Sequence, residues 1–282
     1  MCKGQTTNAS VATLNSIYVT TLKMSQSANS KVTTTATVSA PRYGESIIIR
    51  PARLTEGYKL GAMAARTYDN TPMTRFLEPH RSKYPKDYVR GYQQRAQARM
   101  LKPENYTIVA CEASDPSRLV GYGQFVRLGD DEGAKRQIAS RKSIFLAVLN
   151  FLFWIYTSIA TLLVPNRSGD PAAIAELLRV VDAEGKLHWD KPGRKNRWYA
   201  QSVVVLEEYQ GKGIGKRLMR EIIARAEAEN VVFGLEASGP GKLMYLSVGF
   251  EFLASYQKEI LGPDEGGVMM YTPKGLRDEQ KM

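Results

Sequence analysis

Three glycines in one short turn are the residues whose type and spacing most clearly suggest chemistry. The turn, Gln210-Gly211-Lys212-Gly213-Ile214-Gly215, stands between a Val-rich run, 202–206, and a segment with apolar residues at helical spacing, 218–226. The run is too short for a helix and is predicted to be a buried strand. A strand that leads through glycines into a helix gathers backbone N–H groups at the positive end of the helix dipole, and the missing Cβ atoms let phosphate oxygens approach. The turn is therefore predicted to bind a phosphate group.

Two common phosphate-binding motifs do not fit this turn. A P-loop needs a Gly where Gln210 stands, and it needs a Ser or Thr where Arg217 follows the Gly-Lys pair. A dinucleotide-binding fingerprint needs a third Gly where Lys216 stands. Neither a nucleoside triphosphate nor a dinucleotide is therefore the expected ligand.

The turn matches at every position the Gln/Arg-x-x-Gly-x-Gly/Ala motif of the GNAT superfamily of N-acetyltransferases, and the sequence resembles that superfamily here. The resemblance continues at Tyr245-x-x-x-Gly249-Phe250, which is similar to the family's second signature. In that signature a helix bearing a Tyr ends at a Gly-Phe pair that opens the next strand. The two motifs and the strand between them cover roughly residues 199–256.

The resemblance implies an α/β (α+β) fold with a mixed, mostly antiparallel central sheet flanked by helices, and acetyl-CoA as co-substrate. It places the pyrophosphate on the amides of the turn and pairs the pantetheine arm with the backbone of the preceding strand. The cofactor-binding residues implied are Val203, Val204, Val205, Gln210, Gly211, Lys212, Gly213, Ile214, Gly215 and Lys216.

The resemblance also implies a direct attack by a substrate amine on the thioester. Tyr245 matches the family position that protonates the leaving thiolate. An ammonium substrate must first lose a proton, so a base is expected, and Glu236 at the end of the following strand is the candidate. Glu207 and Glu208, which follow the Val-rich strand, are the rival carboxylates.

The expected function is N-acetylation of the primary amine of a small molecule. Two alternatives stay open: a protein N-acetyltransferase, and a non-catalytic acyl-CoA-binding or membrane-associated regulatory module.

Composition narrows the partners of the chain. A formal net charge of +11 suits an anionic ligand such as coenzyme A, but also nucleic acid or a membrane surface. Nucleic acid is not expected, because the sequence has neither a zinc-finger spacing nor an aromatic-basic RNA-binding signature. Cys2 and Cys111 are isolated, and His80 and His188 have no ligand-type residue at metal spacing, so we expect a reducing, cytoplasmic compartment and no metal site.

The chain order predicts three parts: a disordered, hydroxyl-rich tail at 1–44, an acyltransferase domain at 45–273 with a helical insertion at about 130–195, and a charged tail at 274–282. An organelle transit peptide stays an alternative for the acid-poor N-terminal tail, although it has no Arg before Arg42. We predict loops at 70–85 and 191–197 and a turn at 262–267. The predicted strands are 47–50, 106–111, 119–128, 202–206, 231–235, 251–260 and 268–272, and the predicted helices include 56–68, 87–101, 143–164 and 172–180.

The centre of the insertion, 143–164, carries no charge and as a helix would span roughly 33 Å, which is enough to cross a bilayer. A single crossing would put strands of one sheet on opposite sides of the membrane, so we do not expect a crossing. Packing on the domain and peripheral contact with a membrane or lipid both remain open.

Overall fold

A computed structural model describes residues 46–255 and 266–279. The predicted N-terminal tail, 1–44, lies outside the described residues, as do most of the predicted turn at 262–267 and the second half of the strand predicted at 251–260.

Within these residues, seven strands form one mixed sheet in the order β1-β2-β3-β4-β5-β7-β6. Only β4 and β5 pair in parallel, and every other neighbouring pair is antiparallel, which confirms the predicted sheet. The strands are β1 (Ile47–Pro51), β2 (Asn105–Glu112), β3 (Leu119–Leu128), β4 (Arg197–Val205), β5 (Val232–Ser238), β6 (Glu251–Ser255) and β7 (Gly266–Tyr271).

Helices cover both faces of the sheet. They are α1 (Gly57–Tyr68), α2 (Pro72–Leu77), α3 (Pro85–Met100), α4 (Glu132–Arg141), α5 (Ile144–Leu163), α6 (Pro171–His188), α7 (Ile214–Glu229), α8 (Gly239–Leu246) and α9 (Lys274–Glu279). The apolar stripe of α7, with Leu218, Ile222 and Ala226, packs on one face together with Tyr245 and Phe250. The opposite face carries α1 and α3, and beside them α2 and α6.

Two elements differ from the prediction: a helix lies where a loop was predicted, and one strand begins earlier than predicted. The loop predicted at 70–85 contains α2, since Pro72 occupies the first helical turn, where proline is tolerated, and the Thr71 hydroxyl accepts a hydrogen bond from the Thr74 amide. The strand predicted from Ser202 begins at Arg197, because Trp198 is already fully buried and pairs with β3.

One helix, α6, is longer than predicted, and another, α9, was not predicted. The helix predicted at 172–180 continues to His188, because Leu177, Val181 and His188 keep one face of α6 turned inward. The predicted charged tail begins with α9.

The two long helices of the insertion differ in how far they are buried. The inner face of α6 packs with Met73, Val232 and Met270 on the face of the sheet that carries α1 and α3, next to β5. By contrast, α5 matches the helix predicted at 143–164, begins after Ser143 as N-cap, and has only Leu146 buried among its residues.

Candidate active site

A gap between β4 and β5 is the centre of the site. The two strands pair only over their first residues, Arg197–Tyr199 against Val232–Gly234, although β4 runs on to Val205 and β5 to Ser238. A β-bulge in β4 accompanies the separation, since Gln201 is the extra residue between the partners of Gln124 and Phe125. Within the described residues, the second half of β4 therefore bonds to β3 on one edge and has no strand partner on the other.

The glycine turn closes one end of this gap. Gly211 and Gly213 have φ angles of +74° and +76°, a left-handed conformation that glycine adopts without steric cost. Gln210 ties the turn back to the strand, because its Nε2 donates to the Val205 carbonyl over 2.9 Å. Helix α7 begins directly at Ile214.

Three amides at the start of α7 have no backbone acceptor in the described chain. The first amide that bonds to the backbone here belongs to Arg217, which donates to the Gly213 carbonyl over 3.1 Å. The amides of Ile214, Gly215 and Lys216 are thus available at the positive end of a 16-residue helix. The ammonium group of Lys212 lies over the Tyr209 ring and donates to the Glu208 carbonyl, which orders the turn.

Tyr245 lies at the wall of the gap. It stands on α8, which starts directly after β5 with Ser238 as its N-cap, and its fully buried ring packs against Phe250 with 5.8 Å between centroids. The structure places it beside Tyr68 of α1, whose hydroxyl lies 3.0 Å from the Ser202 Oγ and donates to the Val203 carbonyl over 3.4 Å. Two tyrosines from opposite faces of the sheet therefore meet where β4 and β5 separate.

Tyr68 belongs to a buried hydroxyl cluster that the sequence did not predict. Its hydroxyl and that of Tyr122 both lie 3.0 Å from the Ser202 Oγ. Burial raises the pKa of Tyr68 well above its ordinary value, and the nearby hydroxyls of Tyr122 and Tyr245 add to the rise. Tyr68, Tyr122 and Ser202 line a cavity of about 10 Å³, with room for about one water molecule, together with Arg95 and Arg99. The helical spacing of apolar residues in α1 could have predicted that Tyr68 faces inward. Its partner on β4, Ser202, could not be predicted in this way, because it lies 134 residues away in the sequence.

Glu236 faces the other side of β5 from the α7 core. Its neighbours Leu235 and Ala237 are buried against that core, so strand alternation turns Glu236 toward α6. Trp189 at the end of α6 packs over Gly234 of the same face, where a Cβ atom would lie 2.3 Å from the indole ring. The carboxyl of Glu184, on the inward face of α6, is close to that of Glu236.

The surroundings of Glu236 favour its protonated form. Burial raises its pKa to about 8; the Glu184 carboxylate adds to the rise, and Arg197 and a hydrogen bond from Trp189 lower it. A carboxyl group with such a pKa can exchange a proton near neutral pH. Glu236 was predicted from the sequence but Glu184 was not, because the helix predicted at 172–180 ends before that residue.

The rival carboxylates lie in a different environment. Glu207 and Glu208 occupy a 3-10 turn after β4 and are exposed, and Glu208 forms an ion pair with Arg66 over 3.3 Å. Neither has the desolvated surroundings of Glu236. In the described part of the chain, no group of three or more His, Cys, Asp and Glu residues is close enough to hold a metal ion.

Part of the chain matches the model of a known protein family. Residues 173–252 match the family model of the acetyltransferase (GNAT) domain, a span that runs from α6 through β4, the glycine turn, α7, β5 and α8 into β6. No curated protein sequence matches the chain.

Several solved structures resemble the chain at low sequence identity. A Corynebacterium glutamicum protein described as histone acetyltransferase HPA2 and related acetyltransferase shares 18% identity over 81% of this chain and 97% of its own, with a TM-score of 0.48. Arabidopsis thaliana NAA60, in complex with a bisubstrate analogue, shares 13% over 82% and 99%, with a TM-score of 0.42. Mosquito arylalkylamine N-acetyltransferase like 5b shares 14% over 80% and 100%, with a TM-score of 0.43. The matched segment contains the gap, the glycine turn and the tyrosine helix, and this part of the chain is similar to the acetyltransferase (GNAT) domain.

Proposed function

We propose that this chain transfers an acetyl group from acetyl-CoA to the primary amine of a small molecule, without a covalent enzyme intermediate. One observation carries the proposal. The gap between β4 and β5 ends at the free amides of α7 and has Tyr245 at its wall. A linear molecule with an anionic end and a reactive thioester fits such a site.

The gap and the turn divide the binding of the cofactor between them. The pyrophosphate would lie on the amides of Gln210–Lys216, where the helix dipole favours negative charge. The pantetheine arm would pair with the backbone of Val203–Val205 along the edge of β4 that lacks a strand partner, as an added strand does.

The reaction needs three proton transfers and one group that stabilises the developing oxyanion. The neutral amine attacks the thioester carbonyl; a C–N bond forms and the C–S bond breaks. A backbone N–H of Val204 or Val205 would stabilise the oxyanion that develops, which is worth about 3 kcal/mol for comparable donors. Glu236 would take the proton that the ammonium group must lose before the attack. Tyr245 would give its phenolic proton to the leaving thiolate, and the proton that the nitrogen loses as the amide forms would restore the Tyr245 phenol.

The positions of the two side chains agree with these roles. Tyr245 approaches the gap from the α7 side, where the cofactor turn lies, and Glu236 faces the α6 side. A carboxyl whose pKa is about 8 is strong enough as a base to accept a proton from an ammonium group near neutral pH. The acceptor would therefore enter from the face that carries α1, α2, α3 and α6.

The test is product identification with the full chain. Acetyl-CoA would be incubated with a panel of small primary amines and with peptides that have a free N-terminus, and acetylated products would be detected by mass spectrometry. We expect acetylation of one class of small amine. Acetylation of the peptides alone would assign the site to protein substrates, and acetyl-CoA binding without any product would favour a non-catalytic module.

A further inference from the structure

Helix α5 exposes a continuous apolar surface along its whole length. Its sequence from Ile144 to Leu163 has no charged residue, and at 20 residues it is about 30 Å long. Large side chains on its outer side are uncovered in the described structure, among them Ile144 at 87% exposure, Trp154 at 61% and Leu162 at 82%. An apolar surface of this size on a folded domain marks an interaction site.

The attachment of α5 to the domain fixes which side is free. Before the helix, Arg141 donates to the Met100 carbonyl of α3 over 3.1 Å, and after it the Val164 carbonyl accepts from Arg90 of α3 over 2.9 Å. The Tyr156 hydroxyl lies beside Tyr58 of α1. The inner side of α5 thus rests on α1 and α3, and the outer side is left for a partner.

The topology excludes a crossing, although α5 has the length and composition of a membrane span. Strands β3 and β4, which flank the insertion, are hydrogen-bonded to each other from Gly121–Val205 to Leu128–Arg197. Both ends of α5 are therefore on the same side of any bilayer, and the helix can only lie along its surface.

Charge around α5 matches an anionic surface. Between Glu132 and Asp170 the chain has no acidic residue and five basic ones, namely Lys135, Arg136, Arg141, Lys142 and Arg167. Of these, Lys135 forms an ion pair with Glu132 and Arg167 with Asp87. Lys83 and Lys86, exposed near the start of α3, add positive charge at the C-terminal end of α5, where Arg90 contacts Val164. Exposed Trp154 is of a residue type that favours the headgroup region. A membrane-surface helix usually needs a charged face of its own, but here the body of the domain is the polar side.

We propose that α5 docks this protein onto an anionic lipid bilayer, with the helix in the plane of the membrane and its outer side among the acyl chains. Basic residues at both ends contact the headgroups, while the domain stays in the aqueous phase.

The experiment is sedimentation of the full chain with vesicles. Vesicles of phosphatidylcholine alone are compared with vesicles that also contain phosphatidylserine, and we expect binding to be at least about tenfold stronger to the anionic ones. Leu152→Glu on α5 should lower that binding by at least about tenfold, because a carboxylate enters the apolar layer. Leu187→Glu on α6 is the matched control: the two leucines are similarly exposed, at 53% and 59%, and we expect binding to be unchanged.

Two outcomes would overturn the proposal. One is the absence of vesicle binding, or equal binding of wild type and Leu152→Glu. The other is a lipid-free dimer that Leu152→Glu dissociates and that does not bind vesicles, which would assign the surface to a second copy of the chain. The readout does not involve acetyl-CoA, so it is independent of the proposed reaction.

Discussion

Glu236 is the residue whose surroundings make the clearest kinetic prediction. As the base it must be ionised, and burial raises its pKa to about 8. Turnover should therefore rise with pH up to about 8 and then level off. Glu236→Gln should lower turnover by roughly 10² or more and remove this part of the pH profile of kcat.

The control for that profile is Glu208→Gln, which removes an exposed carboxylate from the turn after β4. It should keep both the turnover and the pH dependence. A wild-type profile in Glu236→Gln would mean that another group accepts the proton.

The raised pKa of the Glu236 carboxyl also makes the free energy of unfolding depend on pH. In the unfolded chain it ionises near 4.5, whereas in the folded chain it holds its proton up to about pH 8. Between these values the unfolded state binds fewer protons, so the free energy of unfolding falls as pH rises. Glu236→Gln removes this loss, and we expect it to be more stable than wild type at pH 8 and about equal at pH 4.5. Urea unfolding at both pH values measures this; a variant that loses stability with pH as wild type does would contradict the raised pKa.

At the scale of elements, the turn before α7 depends on backbone conformation. Gly213 has a φ of +76°, and an added Cβ would meet nothing within 4 Å. Gly213→Ala therefore costs left-handed strain, about 1–2 kcal/mol, without a clash. It also puts a methyl group in the proposed phosphate site, so we expect acetyl-CoA affinity to fall by about tenfold or more.

Gly193 offers a matched control for this substitution. It has the same φ of +76° and the same empty surroundings, in the loop before β4. Gly193→Ala should lose similar stability but keep its affinity for acetyl-CoA in calorimetric titrations. Equal affinity losses in the two variants would remove the turn from the binding site.

Local motifs predicted some elements well and others poorly. The turn, α7 and the helix bearing Tyr245 follow from residues close together in sequence, and their types and order were predictable. The early start of β4 was not, because Trp198 and Ala200 are strand residues through pairing with β3, some seventy residues earlier. The bulge at Gln201 has the same origin, since two strands must be compared before an extra residue is visible.

At the scale of the molecule, half of the insertion belongs to the folded core. Leu177 of α6 is 3% exposed and packs with Trp189 and Val232 next to the site. Leu177→Ala should lower the free energy of unfolding by about 2–5 kcal/mol. Leu187→Ala, on the exposed side of α6, should change it by less than about 0.5 kcal/mol. Chemical denaturation compares them, and no loss in Leu177→Ala would show that α6 is not part of the cooperative unit.

The residues that sequence analysis missed are those defined by long-range contacts. Tyr68 and Glu184 reach the site through α1 and α6, which no local pattern connects to β4 or β5. The order of the elements predicted the sheet, but only the folded chain shows that α6 of the insertion packs on the face where we propose that the acceptor binds.

The most direct test of the proposed reaction measures thiol release from acetyl-CoA by wild type and Tyr245→Phe, with an amine that the wild type acetylates. Tyr88→Phe is the control, because it also deletes a buried hydroxyl, one that donates to the Ala65 carbonyl between α1 and α3. We predict that Tyr245→Phe lowers turnover by about 10² or more at unchanged acetyl-CoA affinity, while Tyr88→Phe keeps its turnover. Unchanged turnover in Tyr245→Phe would remove this residue from the mechanism, and the lack of amine-dependent thiol release by the wild type would contradict the proposed function.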